Sequence, residues 1–211
     1  MSRYSHILFD HDGVLVNTEP LYYQATREVL EAGGAQLPLD EYLDIQAVGG
    51  NAWLRLADSH SDDEITALKA VRNDRYQELL SSEDIDIEGV EATLDVLTAK
   101  CTLAIVTTAK QTDFDLIHRD RTIVDRFSLI LTNKDYTHSK PHPEPYLTAL
   151  DRFGISAADA LVVEDSERGL KAAIAAGIDC AAVHHDFTAT QDFSAATYRV
   201  QTLSGLLELI D

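Results

Sequence analysis

The run Phe9-Asp10-His11-Asp12-Gly13-Val14 constrains this chain more than any other stretch. It follows Ile7-Leu8-Phe9, a short apolar segment that reads as a buried strand. Two aspartates one residue apart then stand where a parallel strand delivers its side chains into a ligand crevice. Carboxylates this close repel unless a cation or a shared proton relieves them. Gly13 permits a sharp turn and a close approach of backbone to ligand. The pattern points to a metal-assisted acid/base or nucleophilic site. An ordinary loop is the competing explanation, with Asp bonded to local amides and Gly supplying positive φ.

From Asn17 to about Asp84 the chain carries only helical patterns. Pro20 to about Ala32 has Leu21, Ala25, Val29 and Leu30 at helical spacing, with Thr18 as N-cap and Pro20 in the first turn. Asp40 to Ile45 predicts a second short helix, Val48-Gly49-Gly50-Asn51 a turn, and Trp53 to Ala57 another helical stretch. Ser61 and Glu64 form a capping box for a long helix through Ile65, Leu68, Val71, Tyr76 and Leu80.

Beyond Ile87 strands and helices alternate. Helices are predicted at Gly89 to Lys100, Asp113 to Phe127, Glu144 to Phe153, Glu167 to Ala176 and Leu203 to Ile210. Strands are predicted at Thr102 to Val106, Leu129 to Leu131, Ala160 to Val163, Cys180 to Val183 and Tyr198 to Val200. Alternation with short, continuously apolar strands predicts an α/β fold, a Rossmann-like parallel sheet flanked by helices. The expected organisation is a core of residues 1–16 and 86–211, with a helical cap domain of residues 17–85 inserted after the first strand.

The net charge of -19 argues against nucleic acid or an anionic membrane as partner. Any anion site here needs strong local positive charge. Cys101 and Cys180 are far apart and form no metal or redox motif. The N-terminus lacks a basic region followed by an apolar one, and no apolar run can span a bilayer, so a cytoplasmic protein is expected. A monomer or weak homodimer is expected.

Strand-end chemistry recurs along the α/β portion. Thr107 and Thr108 follow Ile105-Val106, where hydroxyl and amide donors suit a phosphate oxygen. Lys140 precedes Pro141 in the loop after Leu131 and presents a compact positive charge. The strand ending at Val163 runs into Glu164-Asp165-Ser166, with Gly169 three residues after Ser166. Ser166 suits an N-cap, but two carboxylates after a buried strand call for partners. Asp10, Asp12, Glu164 and Asp165 against Lys140 alone leave a surplus of negative charge. A small hard ion such as magnesium, with one retained proton, would neutralise it.

Together, Asp10-His11-Asp12-Gly13-Val14-Leu15, Thr107, Lys140-Pro141 and Glu164-Asp165-Ser166 resemble the four signatures of the haloacid dehalogenase superfamily. The segment from Glu164 to Gly177 is similar to the last signature almost throughout, and the insertion after the first strand resembles the helical-cap subgroup that includes phosphoglycolate phosphatases and β-phosphoglucomutases. The resemblance implies a magnesium-dependent phosphatase acting on a small phosphorylated metabolite. It implies that Asp10 attacks phosphorus to form an aspartyl-phosphate, and that Asp12 serves as general acid and then general base. It further implies that Asp10, Asp165 and the Asp12 carbonyl hold the metal, with Glu164 acting through water or behind them. Thr107, Thr108 and Lys140 would then bind phosphoryl oxygens.

Some positions depart from the family pattern. His11 replaces a large apolar residue and is expected to be structural. Thr107-Thr108 replaces a Ser-Asn or Thr-Asn pair. Tyr22 and Ala52 stand where the mutase pattern has a histidine and an arginine, which weighs against a phosphosugar mutase, the alternative enzyme. A receiver-like or non-catalytic phosphate-binding signalling protein is a remote alternative. Tyr22, Asn51 and Arg55 are the cap residues expected to set specificity, Trp53 is as much expected to pack within the cap as to face the site, and His184-His185 are read as incidental neighbours on opposite strand faces.

Overall fold

A computed structural model describes residues 3–47 and 49–210. By its contacts the chain divides into two compact units, Thr18–Ile85 and the combination of Met1–Asn17 with Asp86–Asp211.

The smaller unit is helical. It contains α1 (Glu19–Ala32), α2 (Leu39–Ala47) and α3 (Asp62–Ser82), with a 3-10 helix at Ala52–Leu56. Leu21, Ala25, Val29 and Leu30 form the buried face of α1, and Ile65, Tyr76, Leu79 and Leu80 that of α3. The capping box of Ser61 and Glu64 starts α3 as its sequence predicts. Thr18 makes no side-chain cap at α1, because its backbone is already helical, at φ -97° and ψ -19°, and capping needs an extended residue. Pro20 in the first turn lowers the number of amides that need a partner there. The stretch at Trp53 is a 3-10 helix rather than an α-helix, and Asn51 caps it by accepting from the Trp53 amide at 3.1 Å. The turn expected at Val48 lies outside the described residues.

In the larger unit β1 (His6–Phe9), β2 (Thr102–Val106), β3 (Leu129–Leu131), β4 (Ala160–Glu164), β5 (Asp179–Val183) and β6 (Tyr198–Val200) form one sheet. The order is β3-β2-β1-β4-β5-β6, with every pairing parallel. After β1 the chain builds outward through β2 and β3, then returns to the other side of β1 to lay down β4. The strand order therefore reverses at β1, and in such sheets ligands bind at the carboxyl ends beside the reversal. Phe9 is level with Ile105 and Val163, so Asp10 leaves the sheet beside the last residues of β2 and β4.

Alternate residues of each central strand enter opposite core layers. Ile7, Phe9, Leu103, Ile105, Leu161 and Val163 pack with Leu94 and Leu97 of α4 (Val90–Thr98) and Phe114 of α5 (Gln111–Ile117). Leu8, Ala104, Val106 and Val162 pack with Tyr146 and Leu150 of α6 (Glu144–Phe153) and Leu170 and Ala173 of α7 (Glu167–Ala175). Both faces are dry, which is why these strands read as unbroken apolar runs.

The helix predicted from Asp113 to Phe127 is instead two pieces, α5 and a 3-10 helix at Ile123–Arg126. His118-Arg119-Asp120-Arg121 offers no apolar side chain to the core between Ile117 and Ile123, and the Arg121 guanidinium caps the Ile117 carbonyl at 2.8 Å. Likewise the last helix opens as a 3-10 turn, Leu203–Leu206, before α8 (Leu207–Ile210). No helix among the described residues is long and apolar enough to cross a membrane.

Helix α7 approaches β4 closely because residue 169 lacks a side chain. A Cβ there would lie 1.8 Å from Cδ of Glu164, which is fully buried and has nowhere to move. Gly169→Ala is therefore expected to lower unfolding stability by about 2 kcal/mol or more, the cost of forcing volume into a filled core. Urea unfolding followed by circular dichroism measures it, and an unchanged midpoint would contradict the packing described.

Candidate active site

Three strand ends, of β1, β2 and β4, and the loop carrying Lys140 bring the polar side chains of the site together. Asp10 follows β1, and its amide donates to the Val163 carbonyl at 2.8 Å, which anchors the residue to β4 as the strand ends. Lys140 is almost entirely buried. Its ammonium donates to Asp10 Oδ1 at 2.7 Å, to Glu164 Oε1 at 2.7 Å and to the Val106 carbonyl at 2.8 Å. It also lies 4.8 Å from the centre of the Tyr146 ring, an attractive position for a cation.

Glu164 is the support of this group. Its Oε1 accepts from Lys140 and from the Tyr146 hydroxyl at 2.7 Å, and its Oε2 accepts from the Ser166 hydroxyl at 2.9 Å. Burial pushes the Glu164 carboxyl up, but Lys140, Tyr146 and Ser166 together hold it below its ordinary range. Burial pulls the Lys140 ammonium down, and the two carboxylates overcome that and raise it. Asp10 fares differently. Burial and the nearby Glu164 charge push its carboxyl up to about 6, with Lys140 only partly compensating. One ammonium shared between two carboxylates leaves Asp10 short of positive charge.

Asp165, 3% exposed, completes an acidic group with Asp10 and Glu164 in which one oxygen of each lies within 4.8 Å of the others. Room for it comes from Gly13, whose φ of +79° suits glycine and whose Cβ, if present, would meet Asp165 Oδ2 at 2.1 Å. Three carboxylate oxygens so disposed, with charge left over, suit a hard divalent cation.

Asp12 and Thr107 meet across β1 and β2, where the buried Thr107 hydroxyl donates to Asp12 Oδ2 at 3.4 Å and accepts from the Ala109 amide at 3.0 Å. The Thr107 amide is committed to the Leu131 carbonyl at 2.9 Å. Thr108 is half-buried, and among the described residues no acceptor takes its amide.

Several contributors escape a reading of strand ends. Tyr146 sits on the apolar face of α6, where its hydroxyl is indistinguishable in sequence from a core tyrosine. Tyr136 donates to the Thr107 carbonyl at 2.6 Å and so braces that turn. Glu144 accepts from the Thr137 and His138 amides at 2.8 and 2.9 Å, folding the loop that carries Lys140. The Thr137 amide bond, followed by that of the His138 ring, pulls its carboxyl down to about 2. His184 and His185 lie just past β5 rather than within it, so the alternation of strand faces does not apply. His185 reaches Asn17 Oδ1 at 3.1 Å, and its Nδ1 is 3.9 Å from Asp165 Oδ2.

Within the helical unit, Arg55 is paired with Glu41 and donates to the Gln36 carbonyl at 3.1 Å, while Asn51 is used as a cap. Tyr22 stacks edge-on against Tyr76 and lies beneath Arg72, whose guanidinium carbon is 4.2 Å from the Tyr22 ring centre. Trp53 is buried, which favours the packing alternative of its two readings, and its ring lies 5.7 Å from Arg72. Arg72 is itself buried, donating to Thr26 Oγ1 at 3.2 Å and to Asn73 Oδ1 at 3.1 Å. Among the described residues no carboxylate pairs with it.

Comparison with known proteins agrees with this arrangement. The family model of the haloacid dehalogenase-like hydrolases matches residues 7–183. The chain is 31% identical to the protein CbbY of Rhodobacter capsulatus over 94% of its own length and 93% of that protein. It is 32% identical to a phosphoglycolate phosphatase of Xanthomonas campestris over 82% of its length and 79% of the relative. Its fold matches the crystal structure of a CbbY variant from Rhodobacter sphaeroides in complex with xylulose-(1,5)bisphosphate, with a TM-score of 0.83 at 24% identity over 99% of both chains. A parallel sheet with its order reversed at β1, a lysine shared by two strand-end carboxylates and a family match over most of the sheet lead to one assignment: the chain belongs to the haloacid dehalogenase-like hydrolases, and several of its relatives are named as phosphatases.

Proposed function

We propose that this hydrolase is a magnesium-dependent phosphatase that cleaves a small phosphorylated metabolite through an aspartyl-phosphate. The observation that carries the proposal is the position of Asp10, held at Oδ1 by Lys140 and grouped with Asp165. With Oδ1 held, Oδ2 attacks phosphorus in line with the ester oxygen. The bond to that oxygen breaks, and Asp12 gives the leaving alcohol its proton. Asp12, now a carboxylate, takes a proton from water as the water attacks the aspartyl-phosphate, releasing phosphate and restoring Asp10. The Thr107 hydroxyl and the Thr108 amide donate to the phosphoryl oxygens, and Lys140, whose three N–H groups are held by Asp10, Glu164 and Val106, sets its positive charge beside them. Asp10, Asp165 and the Asp12 carbonyl would hold magnesium, which when bound neutralises charge between the carboxylates and the phosphoryl group. Glu164 serves by fixing Lys140.

A phosphosugar mutase is the second reading, supported by similarity to a putative β-phosphoglucomutase from Thermotoga maritima, 26% identical with a TM-score of 0.75. Hexose phosphate turned over to an isomer, and only with a bisphosphate activator, would select the mutase. Release of inorganic phosphate without isomerisation selects the phosphatase.

Asp10→Asn removes the attacking oxygen and is expected to lower turnover of phosphate esters by about three orders of magnitude or more, read as phosphate release with magnesium present. Retained activity would rule out Asp10 as nucleophile. Millimolar magnesium is expected to raise the melting temperature by about 3 °C or more, and Asp165→Asn to abolish the rise. An equal rise in wild type and variant would place the cation elsewhere.

A further inference from the structure

Between the two strand-end aspartates stands a histidine with no part in the chemistry above. His11 is fully buried and turns into the apolar layer against Phe114, with ring centres 5.1 Å apart. There its Nε2 meets Nε2 of His118, the residue that closes α5, at 2.8 Å. Its other nitrogen, Nδ1, makes no hydrogen bond but lies 3.3 Å from Asp12 Oδ2. His118 Nδ1 is likewise buried without a partner.

These contacts determine where the protons sit. Two neutral imidazoles facing Nε2 to Nε2 share one proton, and there are two ways to place it. With the proton on His11, the bare lone pair of His11 Nδ1 would face a carboxylate oxygen. His118 would then carry its proton on Nδ1, a buried donor with no acceptor, which is the costlier orphan. With the proton on His118 Nε2, both faults vanish. His11 then carries Nδ1–H toward Asp12, and the only orphan is an acceptor lone pair on His118. Burial, reinforced by His11, pulls the His118 imidazole down to about 3, so it stays neutral.

We propose that His118 fixes the tautomer of His11, and that His11 in turn is a positioning residue for Asp12, offering it an N–H donor from inside the core. The 3.3 Å contact becomes a hydrogen bond on a small rotation of the carboxylate, and hydrogen bonds of this kind often tighten only when substrate is bound. A donor on Oδ2 keeps the carboxylate turned so that its other oxygen meets the leaving group. Thr107 donates to the same oxygen until a phosphoryl group claims its hydroxyl, after which the His11 donor alone would hold it. The inference rests on Asp12 as acid and base, but its first test does not.

Long-range nitrogen–proton correlation spectra of the 15N-labelled full chain at neutral pH report each tautomer directly. His11 is expected as the Nδ1–H form and His118 as the Nε2–H form. His11 protonated at Nε2 would overturn the proposal without any kinetic measurement. In kinetics, His11→Phe keeps the ring volume without the donor and is expected to lower kcat about tenfold with KM nearly unchanged. His11→Asn returns an N–H at the δ position and is expected to recover most of kcat. Wild-type turnover in His11→Phe, or no recovery in a folded His11→Asn, would also overturn it. Should His11→Phe fail to fold, the wild-type spectrum and His11→Asn still decide. Full turnover by Asp12→Asn would refute the role of Asp12 instead, leaving the tautomers as assigned.

Discussion

One buried ammonium between two carboxylates organises the larger unit. Lys140 reaches Asp10, Glu164 and the Val106 carbonyl at once, so it ties β1, β2 and β4 together at their carboxyl ends. Burying such a group is expensive, since each charge must leave water. The cost is tolerable because Glu164 has its oxygens filled by Lys140, Tyr146 and Ser166, and because the Tyr146 ring covers the ammonium. Asp10 is the member left incompletely satisfied. Under the proposed function, that deficit would be met by a divalent cation and the charge would then be passed on to a phosphoryl group.

Much of the surrounding structure maintains this group. The parallel register sets Phe9 level with Ile105 and Val163, which brings the residues that follow to one edge of the sheet. Two glycines make room for carboxylates, Gly13 for Asp165 and Gly169 for Glu164. Glu144 folds the loop that delivers Lys140, and Tyr136 braces the turn of Thr107. None of these four need touch a substrate. Together they explain why motifs scattered over the chain behave as one site.

The strand ends were legible because chemistry here follows directly from backbone alternation. Asp10, Asp12, Thr107, Lys140, Glu164 and Asp165 each stand at or beyond a strand that reads as an apolar run, and the four carboxylates leave a negative surplus that Lys140 alone does not cancel. The sheet was legible for the same reason. What stayed hidden depends on side-chain direction across elements. Tyr146 has the periodicity of a core residue, and its hydroxyl matters only because Glu164 ends β4 beneath it. His118 falls in a stretch whose helical pattern continues past the point where α5 stops, so its inward turn toward His11 has no sequence signal. Arg72 looks like any exposed arginine of a long polar helix, and only its placement between Tyr22 and Trp53 reveals a buried cation.

The helical unit carries a different constraint from the sheet. Arg55 and Asn51, polar and near a glycine turn, are consumed by local structure, and Arg72 is held by Thr26, Asn73 and two aromatic rings. The proposed chemistry is two successive displacements at phosphorus, first by Asp10 and then by water, and its stereochemistry is the most direct measure. A substrate whose phosphoryl group is made chiral with oxygen isotopes, transferred by this enzyme to water, is predicted to give phosphate with retained configuration. Inversion would mean a single direct attack by water and would contradict the account.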